Sequence, residues 1–123
     1  MKAISQINPI TADLSYNVKK IIAEIKKAKK LHVKWLIFPE LIVCGYIPKD
    51  IFTIASFKHD CEKAVQEIVQ ESKECPGMVI VFGAPEWQED KLFNSAYLVQ
   101  EGNIIGIQQK IALPNYDVFD EKR

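Results

Sequence analysis

Apolar and polar residues alternate through Ala3-Ile4-Ser5-Gln6-Ile7-Asn8, which predicts a first strand with one buried face, ended by Pro9. The period then changes. Val18, Ile21, Ile22, Ile25 and Ala28 recur at helical spacing behind Asp13 or Ser15, either of which can serve as N-cap. The lysines at 19, 20, 26, 27, 29 and 30 fill the rest of that helix. They read as a solvated face whose last members suit the helix dipole, rather than as a nucleic-acid site. Trp35 to Phe38 is a short apolar run that stops at Pro39, and a helix between two strands predicts a right-handed crossover and parallel pairing.

A second helical stripe, Cys61, Ala64, Val65, Ile68 and Val69, lies in a segment from about Ser56 to Lys73, and Pro76-Gly77 ends it. Met78 to Ala84 is continuously apolar and predicts a central strand buried on both faces. Leu92 to Gln100 and Ile104 to Gln109 read as extended, with Glu101-Gly102-Asn103 as the hairpin turn between them. Asn94, where the first of these begins, is placed to tie down a neighbouring loop. From Lys110 to Arg123 no period is visible, and the segment reads as a loop dense in functional groups. Repeats, low-complexity segments and interdomain linkers are absent from the sequence.

Composition narrows the class. The 123 residues suit one domain, and 48% hydrophobic with 26% charged content marks a globular chain. Sixteen basic residues balance sixteen acidic ones, so nothing points to nucleic acid or an acidic membrane as partner. No apolar run is long enough to span a bilayer. The opening residues lack the apolar region of a signal peptide, so the expected location is the cytoplasm. The three cysteines, Cys44, Cys61 and Cys75, are odd in number and widely spaced, which suggests neither a disulfide framework nor a zinc site. His59-x-Cys61 alone is too few ligands for a metal. Cys61 falls on the apolar stripe and reads as core.

The candidate chemistry gathers around Leu36-Ile37-Phe38-Pro39-Glu40, continuing to Gly45-Tyr46. A carboxylate delivered by a strand end into a pocket is how many α/β enzymes place a general base. The same pattern also describes a solvated glutamate just beyond a strand, and local sequence leaves both open. Gly45 is placed to supply a backbone angle that other residues resist.

Three landmarks stand in order: Phe38-Pro39-Glu40, then Gly45-Tyr46-Ile47-Pro48-Lys49-Asp50, then Lys110 with Leu113-Pro114-Asn115-Tyr116-Asp117-Val118-Phe119-Asp120-Glu121. Together with Gln6-Ile7-Asn8-Pro9, Asp13-Leu14 and Asn17, they resemble the carbon–nitrogen hydrolase (nitrilase) superfamily. More narrowly, they resemble the amino-terminal glutaminase domain of the glutamine-dependent NAD synthetases. The resemblance implies an α/β fold, the amino-terminal half of a four-layer α-β-β-α sandwich. Residues 1–123 would then be the amino-terminal part of that hydrolase domain, with the synthetase domain absent. It implies Glu40 as general base, Lys110 as stabiliser of the transition state and Glu121 as a second carboxylate, with Tyr46 and Tyr116 lining a glutamine pocket.

The family nucleophile is a cysteine beyond the lysine loop, and none of Cys44, Cys61 and Cys75 stands in that place. The implied piece is therefore inactive alone. The implied partners are glutamine, the synthetase domain of a longer chain and further copies of the same chain, with no nucleic acid and no membrane. No cofactor or metal is expected for the glutaminase part; ATP and magnesium would belong to the synthetase part. Two alternatives remain: a truncated superfamily amidase of another specificity, and a non-catalytic half-domain that pairs with a partner chain.

Overall fold

The computed structural model describes residues 2–5, 13–39, 42–43, 55–89 and 91–112, with the backbone alone at 55, 91 and 110–112. Five strands form one sheet in the order β1-β2-β3-β4-β5. They are β1 (Lys2–Ile4), β2 (Trp35–Ile37), β3 (Val79–Gln88), β4 (Lys91–Gln100) and β5 (Asn103–Ala112). Among the described residues two helices interrupt them, α1 (Leu14–Lys30) after β1 and α2 (Ala55–Ser72) after β2. The β1–β2 and β2–β3 pairs are parallel, as the intervening helices require. The β3–β4 and β4–β5 pairs are antiparallel hairpins.

The predicted stripes are the ones that pack. Asp13 caps α1, its Oδ1 accepting from the Tyr16 backbone N–H at 3.1 Å. Ile21 and Ile25 of α1 and Ile68 of α2 are fully buried against Leu36, Ile80, Phe82, Tyr97 and Val99. All six lysines of α1 named above are exposed. Both helices thus lie over one face of the sheet, the face that carries alternate residues of β3 and β4. The Phe82 and Tyr97 rings stack there at 5.4 Å.

On the other face the register brings Ile4, Trp35, Ile37, Val81 and Leu98 onto neighbouring strands. Ile4 is 69% and Trp35 41% exposed. An apolar face left in water is the structural mark of a sheet that packs against a second layer.

The strand β3 runs four residues beyond the apolar stretch expected for it, through Pro85. A proline inside a central strand is unusual because it removes a ladder donor. Val79 donates its N–H to the Lys34 carbonyl, and the Val81 carbonyl accepts from Phe38, so odd residues of β3 address the β2 side. The last β2 pair is Ile37 with Val81. At Pro85 that edge bonds no strand among the described residues, so the missing N–H costs the described ladder nothing.

The β4–β5 turn comes out as the two residues Glu101 and Gly102, with φ 49° and 85°. Two positive φ values in a row match the twist of a tight hairpin. The tip is tied to the end of α2: the Gly102 N–H donates to Ser72 Oγ at 2.8 Å, and Ser72 Oγ donates to the Val69 carbonyl at 2.6 Å.

Two outcomes follow from this packing. Ile25→Ala should lower the unfolding free energy by about 2–5 kcal/mol in urea denaturation, because its fully buried side chain cannot be replaced by collapse of α1. Burial, reinforced by the Glu86 charge, pushes the Tyr97 hydroxyl well above the ordinary tyrosine range. Folding then favours the neutral phenol, whereas an unfolded tyrosine ionises near pH ~10. The contribution of this group is complete below that pH and is lost as pH rises beyond it. Thermal melts should therefore show an alkaline fall above pH ~10 that is shallower in Tyr97→Phe than in the parent chain.

Candidate functional site

The two segments that carry the charged landmarks both register on β3. Ahead of residue 40, the Phe38 N–H donates to the Val81 carbonyl at 2.8 Å. Beyond it, the Val43 N–H donates to the Gly83 carbonyl at 3.3 Å. The same turn is held from the helix side, where the Asn17 Nδ2 of α1 donates to the Val43 carbonyl at 3.0 Å. Asn17 is 1% exposed, and Ile42 and Val43 are fully buried. Residues 38 and 43, which bracket Glu40 in the sequence, are thus fixed to consecutive rungs of one edge of β3.

Lys110 is in β5. Its backbone position follows from the ladder: Ser95 pairs with Gln109, and the next β4 residue, Asn94, pairs with Ile111. Residue 110 is therefore an extra residue in a β-bulge. Across β4, Ser95 and Asn94 pair with Ala84 and Pro85 of β3. The rung that anchors Val43 and the rung that carries the bulge are one residue apart along β3. Val43 and the bulge have β3 and β4 between them, three strand spacings or about 14 Å. Of the predicted site residues, Glu40, Tyr46, Tyr116 and Glu121 lie outside the described residues, as do Cys44 and Gly45.

The two described cysteines are unsuited to nucleophilic work. Cys61 is fully buried in the α2 stripe. Cys75 is 2% exposed, and burial pushes its thiol up despite the opposing pull of Lys29. A nucleophilic cysteine needs the opposite shift and an approach for substrate. His59 is exposed while Cys61 faces the core, so these two side chains do not meet. Among the described residues no group of three or more His, Cys, Asp and Glu gathers to hold a metal ion.

One polar cluster lies outside every motif named from the sequence. Glu86 of β3 is only 9% exposed. Its Oε1 accepts from Ser95 Oγ at 2.8 Å and from Gln109 Nε2 at 3.2 Å, and its Oε2 accepts from Gln88 Nε2 at 3.3 Å. A signal for it does exist: Ile80, Phe82, Ala84 and Glu86 share one strand face, and the last of that apolar row is an acid.

Comparison with known proteins identifies the family and the fold. The carbon-nitrogen hydrolase family model matches residues 3–123. The glutamine-dependent NAD(+) synthetase of Thermotoga maritima is 37% identical over 120 residues, 98% of this chain and 20% of that protein. That of Acinetobacter baylyi is 34% identical over 122 residues, 98% of this chain and 22% of that protein. The solved glutamine-dependent NAD+ synthetase of Acinetobacter baumannii superposes with a TM-score of 0.74 at 34% identity, covering 98% of this chain and 23% of that one. An amidase from Nesterenkonia sp. shares the fold, with a TM-score of 0.77 at 21% identity over 88% of this chain and 41% of that one. The chain spans about a fifth of the length of the curated relatives it matches. With all but its first two residues matched, the chain belongs to the carbon–nitrogen hydrolase family.

Proposed function

We propose that this chain is the amino-terminal part of the glutamine-hydrolysing domain of a glutamine-dependent NAD synthetase. The observation that carries the reading is the shared end of the sheet. The segment bracketing Glu40 bonds β3 directly and the bulge holding Lys110 is tied to the neighbouring rung through β4. By their resemblance to the family motif, Glu40 is taken as its base and Lys110 as its lysine. The exposed Ile4 and Trp35 support the same reading, because the four-layer fold buries that sheet face under a second sheet.

In this proposal Glu40 takes the proton from a cysteine thiol supplied by a later part of the full protein, and returns it to the departing ammonia. The ammonium of Lys110 stabilises the charge that develops on the attacked amide oxygen. Glu121 adds a second carboxylate, and Tyr46 and Tyr116 line the glutamine pocket. Ammonia then passes to an adenylated nicotinate dinucleotide in the synthetase part. That part would hold ATP and magnesium; no residue of this chain is assigned to them. Assembly through this domain and a cytoplasmic location belong to the same proposal.

The 123-residue chain alone should release no ammonia from glutamine above background, as read by a coupled dehydrogenase assay. Grafted in place of the matching segment of the Acinetobacter baylyi synthetase, it should restore glutamine-dependent NAD formation. Glu40→Ala or Lys110→Ala in that chimaera should reduce the glutamine-dependent rate by at least about a hundredfold. The rate with an ammonium salt should be unchanged. Full glutamine-dependent turnover in both variants would overturn the assignment.

Asn17 joins the turn beyond Glu40 to α1, and its removal leaves the Val43 carbonyl without that buried donor. Asn17→Ala should destabilise the fold by about 1–3 kcal/mol. Asn17→Asp should cost at least as much, since a carboxylate offers the Val43 carbonyl no donor. Denaturation midpoints of the three proteins measure this directly.

A further inference from the structure

Glu86 is a buried acid that the proposed reaction does not use. It sits on the sheet face shared with Phe82 and Ala84, and no lysine or arginine forms an ion pair with it among the described residues. Its partners are instead three neutral donors. A carboxyl group withdrawn from water is tolerated when its oxygens are hydrogen-bonded, and here both are. The placement of those donors is informative. Ser95 lies on β4 and Gln109 on β5, so one oxygen spans three strands and grips two of them at once.

The residue after Gln109 is Lys110, the extra residue of the β5 bulge. A bulge residue has no ladder partner of its own, so the direction in which it departs from the sheet depends on how its neighbours are held. Ile111 is held on the far side by pairing with Asn94. On the near side Gln109 pairs with Ser95, and both side chains converge on Glu86 Oε1. We infer that Glu86 is a positioning residue for Lys110: by holding Ser95 and Gln109 together, it fixes the backbone bulge that contains residue 110. This inference rests on the reading of Lys110 as the lysine that meets the developing charge.

An acid suits this position because both of its oxygens can only accept while ionised. Glutamine at 86 keeps one accepting oxygen for Ser95 and Gln109 and gives up only the contact to Gln88 near the end of the strand. Alanine gives up all three.

The test uses the chimeric synthetase. Glu86→Ala and Gln109→Ala should each lower the glutamine-dependent kcat by tenfold or more while changing the KM for glutamine less than threefold. Glu86→Gln should return kcat to within threefold of the parent. Hydrogen exchange at the amides of Gln109 to Ile111 should quicken at least tenfold in the alanine variants and not in Glu86→Gln. Gln109→Ala guards against misfolding, because it removes a half-exposed side chain and leaves the core intact. A parent kcat in both alanine variants, alongside a Lys110→Ala variant that is inactive, would overturn the positioning role and leave the function reading standing. A Lys110→Ala variant with parent kcat would overturn both. If Glu86→Gln were as impaired as Glu86→Ala, the carboxylate would act by its charge and not by holding the strands, and the inference would fall.

Discussion

The structure depends on one strand that is covered by the helices on one face and bonded along both edges. On one face β3 meets the helices through Ile80, Phe82 and Ala84. Along one edge it bonds β2 and then the backbone on either side of residue 40; along the other it bonds β4 for its whole length. The change from parallel to antiparallel pairing happens at this strand. Parallel strands need long crossovers, and those crossovers carry the helices and the first landmark. Antiparallel strands need only tight turns, and that side carries the second.

This division lets a small piece of sheet tie together backbone segments separated by some seventy residues of sequence. Phe38 and Val43, on either side of residue 40 in the sequence, bond β3 directly, and Gln109 and Ile111, on either side of residue 110 in β5, are tied to it through β4. Register is specified strongly wherever one face is buried, since a slip by one residue would turn the apolar set toward water. The burial of Phe82, Tyr97 and Val99 therefore does two things: it stabilises the sheet, and it sets the level at which Val43 and the β5 bulge meet it.

Much of this was legible in the sequence, and the reasons differ by element. The stripes of α1 and α2 were read directly because helical spacing sustained over several turns fits neither a strand nor a loop, and all ten residues named for them are buried or half-buried. The hairpin at Glu101-Gly102 was visible from its glycine between two extended runs. The continuation of β3 past Ala84 was not, because Pro85 interrupts a strand pattern unless one knows that its neighbour has already ended. The bulge at Lys110 could not be read at all: a bulge is a relation between two strands, and a single strand's pattern does not contain it. The Glu86 cluster was hidden for a similar reason, since its donors come from three separate places in the chain. Glu40, Lys110 and Glu121 were singled out through the family motif; of these, the structure describes only the backbone of Lys110.

The edge strand carries one more consequence. A second bulge stands earlier in β5, where Leu98 pairs with Gly106 but Val99 with Ile104. Each bulge reverses which residues share a side of the pleat, so even-numbered positions lie on the helix side before the first, odd-numbered ones between the two, and even-numbered ones again after the second. The two reversals cancel. Loss or gain of a single residue in this strand during descent would invert everything beyond it, whereas a compensating pair would be silent. Changes in the length of β5 are thus expected to be inherited in twos.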